Sequence, residues 1–241
     1  MGSMRSEARG IGNLRLALIV VGSMAAGCGG ETDLPPLQAT SPHFRLHARS
    51  ANLVPVGTLD RLERHRADVS TYMGIVDDHV IDYFLFDDVD DAVRNSGCPG
   101  TVTCAPGWRV MSTVPLDEHE LTHAYLAATL PPPIISEGVA NAFRCGTTTG
   151  TRLPSHSGWA EVVSTWPIDQ DVYAWGVRLV LSLIRDGGPE RFFKYYRAAR
   201  YSLDPALFAL DFQSSWGRRL DDVWAGLVET SSVDPGADLS L

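Results

Sequence analysis

The sequence predicts an α+β fold, with a small mixed sheet and helices in its N-terminal half packed on a mostly helical C-terminal half. Runs rich in β-branched and aromatic residues occur before residue 115, where they indicate strands. After it, apolar residues recur at helical spacing. Three consecutive prolines, 131–133, interrupt the helical pattern midway. We therefore expect a mixed first half and a helical second half around one cleft.

Three segments of the first half carry a strand pattern. Residues 43–48 alternate in character, 80–86 are rich in β-branched and aromatic residues, and 108–114 follow a short cysteine loop. Between the first two segments, apolar residues at helical spacing predict an amphipathic helix ending at Gly74, and they are Leu59, Leu62, Val69 and Tyr72.

A cluster of aspartates follows the second predicted strand, at Asp87, Asp88, Asp90 and Asp91. The cluster lacks the alternate spacing, the glycine and the distal glutamate of an EF-hand loop. Aspartate is favoured as a helix N-cap and in the first helical turn, where it interacts well with the macrodipole. We therefore interpret these residues as the start of a short helix and not as a calcium site.

Two helices are predicted on either side of the triple proline. The first starts after Pro115, has Asp117 and Glu118 in its first turn, and runs to about Leu130. The second begins near Ser136, a suitable N-cap, and extends to residue 144. A loop is predicted over 146–158, which is rich in Thr, Ser, Gly and Pro.

The rest of the chain is predicted to be helical. An apolar stripe ends at Gly187, and Pro189 is placed to start the next helix. Asp204 and Pro205 open another helix in the same way, and apolar residues over 220–227 define a last one.

The N-terminus has the organisation of an export signal. Three arginines precede an apolar run that begins at Leu16 and is shorter than the about 20 residues that span a bilayer. The run ends at Ala25-Ala26-Gly27-Cys28, which resembles the lipobox of bacterial lipoproteins. The resemblance implies a lipid on Cys28 and an anchor in the bacterial cell envelope, on the periplasmic or extracellular face. An ordinary signal peptide cut after a small residue is the alternative.

These signals divide the chain into four parts. We expect a signal peptide over 1–27, a tether over 28–41, a single domain over 42–230 and a flexible tail over 231–241. The formal net charge of -9 argues against nucleic acid as an electrostatic partner.

The remaining cysteines lie in the predicted domain, and an exported protein sits where disulfides persist. Cys98 and Cys104 enclose a short loop containing Pro and Gly, so they are the predicted bridge. Cys145 would then be a free thiol. A bridge to Cys145 is the alternative that the sequence leaves open.

The chemistry-bearing stretch is His119-Glu120-Leu121-Thr122-His123. His119 and His123 share one face of the predicted helix, so both imidazoles can reach a single metal ion. Glu120 is rotated about 100° from them. Catalytic zinc commonly has three protein ligands, and the triple proline returns the chain so that Glu137 can be the third. Asn141, one turn after Glu137, is a candidate hydrogen-bond partner for a ligand histidine.

The two motifs, His119 to His123 and Ser136-Glu137-Gly138, resemble the gluzincin zinc peptidases, in particular their compact bacterial members, over about residues 80–227. The resemblance implies a zincin-like active-site helix between the two halves. It also implies Zn²⁺ bound by His119, His123 and Glu137, with Glu120 as the general base.

Members of this family usually add a Tyr or His that donates a hydrogen bond to the oxyanion. Tyr173 and His156 are the candidates here, and no motif selects between them. The resemblance further implies a peptide or protein substrate, which can pair in extended form with the strand over 108–114.

Two functions fit these patterns. The first is a zinc-dependent peptidase, a hydrolase tethered to the bacterial envelope. The second is a catalytically silent zinc-binding lipoprotein that acts as a binding or structural module. Glu120 favours the first, because a structural zinc site does not need a general base.

Overall fold

The computed structural model describes residues 33–98, 101–144, 158–165 and 170–233. Within these ranges the α+β class is confirmed: the sheet lies in the N-terminal half, and helices make up the C-terminal half. Several predictions concern positions outside the described ranges, namely the lipid on Cys28, the thiol of Cys145 and the oxyanion role of His156.

The sheet has four strands in the order β1 (Leu37–Thr40), β2 (Phe44–Ala48), β3 (Ile81–Leu85) and β4 (Arg109–Ser112). β1 is antiparallel to β2, whereas β2, β3 and β4 are parallel, so the sheet is mixed as predicted. β1 was expected to be part of the tether. Its residues alternate between apolar and polar but none of them is buried, so the pairing with β2 defines this strand.

The helices are α1 (Thr58–Met73), α2 (Val89–Asn95), α3 (Glu118–Tyr125), α4 (Pro133–Ala142), α5 (Trp159–Ser164), α6 (Gln170–Ala198), α7 (Pro205–Trp216) and α8 (Leu220–Val233), with a 3-10 turn at Ala51–Leu53. The predicted end of α1 is confirmed, since Gly74 has a φ of 63°. α6 is broken at Gly188, where φ is 78° and ψ is 160°, and Pro189 starts its second part. No helix among the described residues is long and apolar enough to cross a membrane.

The aspartate cluster caps a helix, as predicted. The Asp88 side chain is the N-cap of α2 and accepts a hydrogen bond of 2.8 Å from the Asp91 amide. Asp90 and Asp91 lie in the first turn. The Asp91 carboxylate also forms an ion pair of 3.1 Å with Arg49, so this residue has a structural role.

Two helix boundaries near the prolines differ from the prediction. α3 ends at Tyr125 instead of continuing to about residue 130, and Asp117 is its N-cap and not part of its first turn. α4 starts at Pro133, because proline at the first helical position has a suitable φ and lacks only an amide that would have no helical partner. Ser136 therefore lies inside α4 and is not its N-cap.

A single buried core joins the two halves of the domain. It contains Phe44, Tyr83 and Val110 from one face of the sheet together with buried side chains of α1, α3, α4 and α6. The opposite face packs a smaller cluster around Phe84 and Met111. α3 therefore lies between the sheet and the helical half, the position that the family resemblance implies for an active-site helix.

Candidate metal centre

The start of α3 is fixed by side chains of two strands, β3 and β4. Asp117 caps the helix by accepting hydrogen bonds from the Glu120 amide at 3.2 Å and from the Ser112 hydroxyl at 2.9 Å. Its own amide donates to the Tyr83 hydroxyl at 2.8 Å, and that hydroxyl donates to the Val114 carbonyl at 2.8 Å. Since Ser112 ends β4 and Tyr83 lies on β3, the sheet sets the position of the helix.

α3 is also attached to α1 by a buried polar contact. The Thr122 hydroxyl donates to the Glu118 carbonyl at 2.8 Å and lies 3.0 Å from His65 Nε2. Burial lowers the pKa of His65 below its ordinary value, although the nearby Glu118 and Asp68 carboxylates act in the opposite direction. Neutral His65 is therefore the form that the fold favours.

Three side chains from α3 and α4 converge on one point. His119 Nε2 lies 3.2 Å from His123 Nε2, and one oxygen, Glu137 Oε2, lies 3.1 Å from the first nitrogen and 3.3 Å from the second. Zinc lies about 2.0–2.1 Å from its nitrogen ligands, so tetrahedral ligand atoms are about 3.3–3.4 Å apart. The triangle therefore has the size and donor chemistry of a three-ligand metal site, and these residues could hold a metal ion.

The carboxylate of Glu137 and the imidazole of His123 shift each other's pKa. Burial by itself would raise the pKa of Glu137, but hydrogen bonds from His119 and His123 lower it to about 2. Burial would lower the pKa of His123, and the Glu137 carboxylate reverses that effect and raises it. The site therefore carries an anionic carboxylate that attracts a cation.

The outer nitrogens of the two histidines have different surroundings. His123 Nδ1 lies 3.2 Å from the Ser136 hydroxyl. His119 Nδ1 is buried without a hydrogen-bond partner among the described residues. Asn141, the partner expected from the sequence, donates to the Glu137 carbonyl at 3.0 Å. Ser136 is therefore placed to orient His123, the kind of role for which the sequence indicated Asn141.

Glu120 lies beside the three candidate metal ligands and is not one of them. Burial raises the pKa of its carboxyl group, while the nearby His123 and His119 imidazoles oppose the rise. The Thr103 hydroxyl donates a hydrogen bond of 3.1 Å to Glu120 Oε1. A carboxylate that is half-buried, hydrogen-bonded and close to the candidate metal ligands is suited to accept a proton.

Tyr173 of α6 lies next to His119, one of the candidate ligands. Its ring centroid lies 5.9 Å from that of His119 in an edge-to-face arrangement. Burial, together with the Glu137 and Glu120 carboxylates, raises the pKa of Tyr173 to about 12, so its hydroxyl keeps its proton at neutral pH. Tyr173 can therefore serve as a hydrogen-bond donor beside the ligands.

The predicted disulfide is confirmed, because Cys98 is bonded to Cys104. The segment that contains Cys104 also covers part of the edge of β4. Cys104 and Met111 exchange two backbone hydrogen bonds, of 3.1 Å and 2.9 Å. A peptide substrate therefore cannot pair with β4 at Met111, which narrows the expectation that an extended peptide pairs along 108–114.

Sequence reasoning missed the two hydroxyls next to the site. Ser136 directly precedes the ligand Glu137, and this adjacency was its only signal. Thr103 lies 17 residues before Glu120 and shows no signal beyond its position beside Cys104. No protein-family model, no curated protein and no solved structure matches the chain.

Proposed function

We propose that this protein is a zinc-dependent peptidase of the gluzincin type. The observation that carries the proposal is the triangle of His119 Nε2, His123 Nε2 and Glu137 Oε2, with sides of 3.1–3.3 Å. The half-buried carboxylate of Glu120 beside it separates this arrangement from a purely structural site, which has no use for a base.

The protein's own groups have distinct tasks in peptide hydrolysis. Zinc, when bound, lowers the pKa of a water molecule to about 7 and polarises a carbonyl group. Glu120 takes a proton from the attacking water on its carboxylate and passes it to the leaving amine. Tyr173 keeps its proton at neutral pH, because its pKa is raised to about 12, and can donate a hydrogen bond to the developing oxyanion.

We further propose that the peptidase acts at the bacterial envelope, tethered by a lipid on Cys28. The export signal and the lipobox-like residues support this location. The Cys98–Cys104 disulfide agrees with it, because such bonds persist outside the cytosol. Its substrates are accordingly peptides or proteins that are accessible from that compartment.

The direct test measures zinc content and peptide cleavage in the same preparations. The parent protein is expected to bind one equivalent of zinc and to cleave denatured casein or a diverse peptide library until a chelator is added. Glu120→Gln should retain zinc and lose about 10²–10⁴-fold in kcat, the usual contribution of a general base. His123→Ala should lose the metal.

A matched control is His79→Ala, because His79 stacks on Trp108 at 4.1 Å and is not among the ligands. This variant should keep both zinc and activity. A parent that binds zinc but cleaves nothing, like its Glu120 variant, would contradict the peptidase proposal and favour the silent zinc-binding lipoprotein.

A further inference from the structure

The segment 101–105 contains Cys104 of the disulfide and also contacts Glu120, the proposed general base. Cys104 is paired with the edge strand β4 through its two backbone hydrogen bonds to Met111. The side chains of Cys98 and Cys104 pack against a cluster that includes Phe84 and Met111. The cysteine side of this segment is therefore fixed to the sheet by both a covalent bond and packing.

The side chain of Thr103 lies on the opposite side of the same segment. Successive side chains of an extended chain point to opposite faces, so Thr103 points away from the cluster that contains Cys104. Its hydroxyl donates to Glu120 Oε1 at 3.1 Å, and its carbonyl accepts a hydrogen bond of 2.8 Å from the Thr101 hydroxyl. The first bond connects the disulfide segment to α3.

We propose that Thr103 is a positioning residue for Glu120 and that the Cys98–Cys104 disulfide is part of the catalytic apparatus because it holds Thr103 in place. The inference rests on the proposed function, in which Glu120 is the base. The Thr103 hydroxyl donates a hydrogen bond to one oxygen of the Glu120 carboxylate and so fixes its rotation. The other carboxylate oxygen remains available for the attacking water.

Because the disulfide holds Thr103 in place, peptidase activity should depend on the cellular compartment. Thiols remain reduced in the cytosol, whereas disulfides persist after export. Before the bond forms, the segment 101–105 is attached to the sheet only through non-covalent contacts, and Thr103 is held less firmly against Glu120. Full activity is therefore reached only outside the cytosol.

The test compares two substitutions of Thr103 in the full, zinc-loaded chain. Thr103→Val keeps the shape of the side chain and removes its donor, so kcat should fall about 10–100-fold, as expected for a displaced catalytic group. KM, zinc content and melting temperature should stay the same. Thr103→Ser restores the hydroxyl and should recover most of the lost kcat.

A second set of variants tests whether the disulfide acts through Thr103. Cys98→Ala/Cys104→Ala should lower kcat by a similar factor without loss of zinc. Adding Thr103→Val to this pair should lower kcat little further, because coupled residues are not additive. Fully additive losses, or an unchanged kcat in Thr103→Val, would overturn the positioning role.

Hydrogen exchange gives a readout that does not require turnover. The Glu120→Ala variant should exchange faster over 101–105 than the parent, since it lacks the acceptor for Thr103. An inactive parent overturns the peptidase proposal, whereas unchanged exchange in this variant overturns the connection between Thr103 and Glu120. The two failures are thus distinguishable.

Discussion

Gly138 of α4 and Gly176 of α6 pack backbone against backbone. A Cβ atom on Gly138 would lie 2.4 Å from the Gly176 carbonyl oxygen, and one on Gly176 would lie 2.5 Å from the Ile134 carbonyl oxygen. No side chain fits at either position. The close approach brings α6 against the helix that carries Glu137, and it places Tyr173, one turn before Gly176, beside His119.

Gly138→Ala should destabilise the protein by about 1–3 kcal/mol, the usual cost of overpacking, because the added methyl group meets backbone that cannot rotate away. Urea denaturation measures the change in free energy of unfolding. Gly226→Ala in α8 is the matched control, since its Cβ has no neighbour within 4 Å. It should stabilise the protein by about 0.4–1 kcal/mol. Equal effects would contradict the interpretation of the helix crossing.

Ser136→Ala should weaken zinc binding about 10–100-fold, because His123 Nδ1 loses the hydroxyl that orients its ring. Competition with a chromogenic chelator measures the affinity. Ser214→Ala is a suitable control, because that hydroxyl donates to the Asp211 carbonyl on an exposed part of α7. Unchanged affinity in Ser136→Ala would mean that the serine does not support the ligand.

Tyr173→Phe should lower kcat about 10²–10³-fold while the protein retains zinc, as expected when one oxyanion donor is removed. The comparison variant is His156→Gln, which removes the other residue that the sequence allowed for this role. Steady-state kinetics on a peptide that the parent cleaves will separate the two. A large loss of kcat in His156→Gln alone would assign the donor role to His156.

Stability should fall in mild acid because of His65. Its pKa in the folded chain lies below the ordinary value of 6.5. As the pH falls through 6.5, the unfolded chain binds a proton that the folded chain does not, so the free energy of unfolding decreases until the pH reaches the lowered pKa. His65→Gln should reduce this slope.

Thermal unfolding from pH 8 to pH 5, with a chelator present in every sample, isolates the effect from metal binding. All titratable groups other than residue 65 are shared by the parent and the variant. If both proteins lose stability with the same slope, His65 is not the source of the acid sensitivity.

Much of the fold could be predicted because its signals are local. The strands β2, β3 and β4 carry apolar or aromatic patterns, Gly74 ends α1, and Asp88 and Asp204 cap α2 and α7. The strand β1 is only four residues long, buries none of them and is defined by pairing with β2. The early start of α4 at Pro133 was misjudged because Ser136 is also a good N-cap.

The three candidate ligands and the proposed base could be predicted without the structure. Helical geometry places His119 and His123 on one face, and the proline break returns the chain toward Glu137. The distances among the candidate ligand atoms, and the residues that surround them, depend on the tertiary structure. The packing of α3 against α4 brings Ser136 to His123. The disulfide-bound segment brings Thr103 to Glu120. Contacts between elements depend on packing in three dimensions, and the periodicity of one element contains no information about its partner.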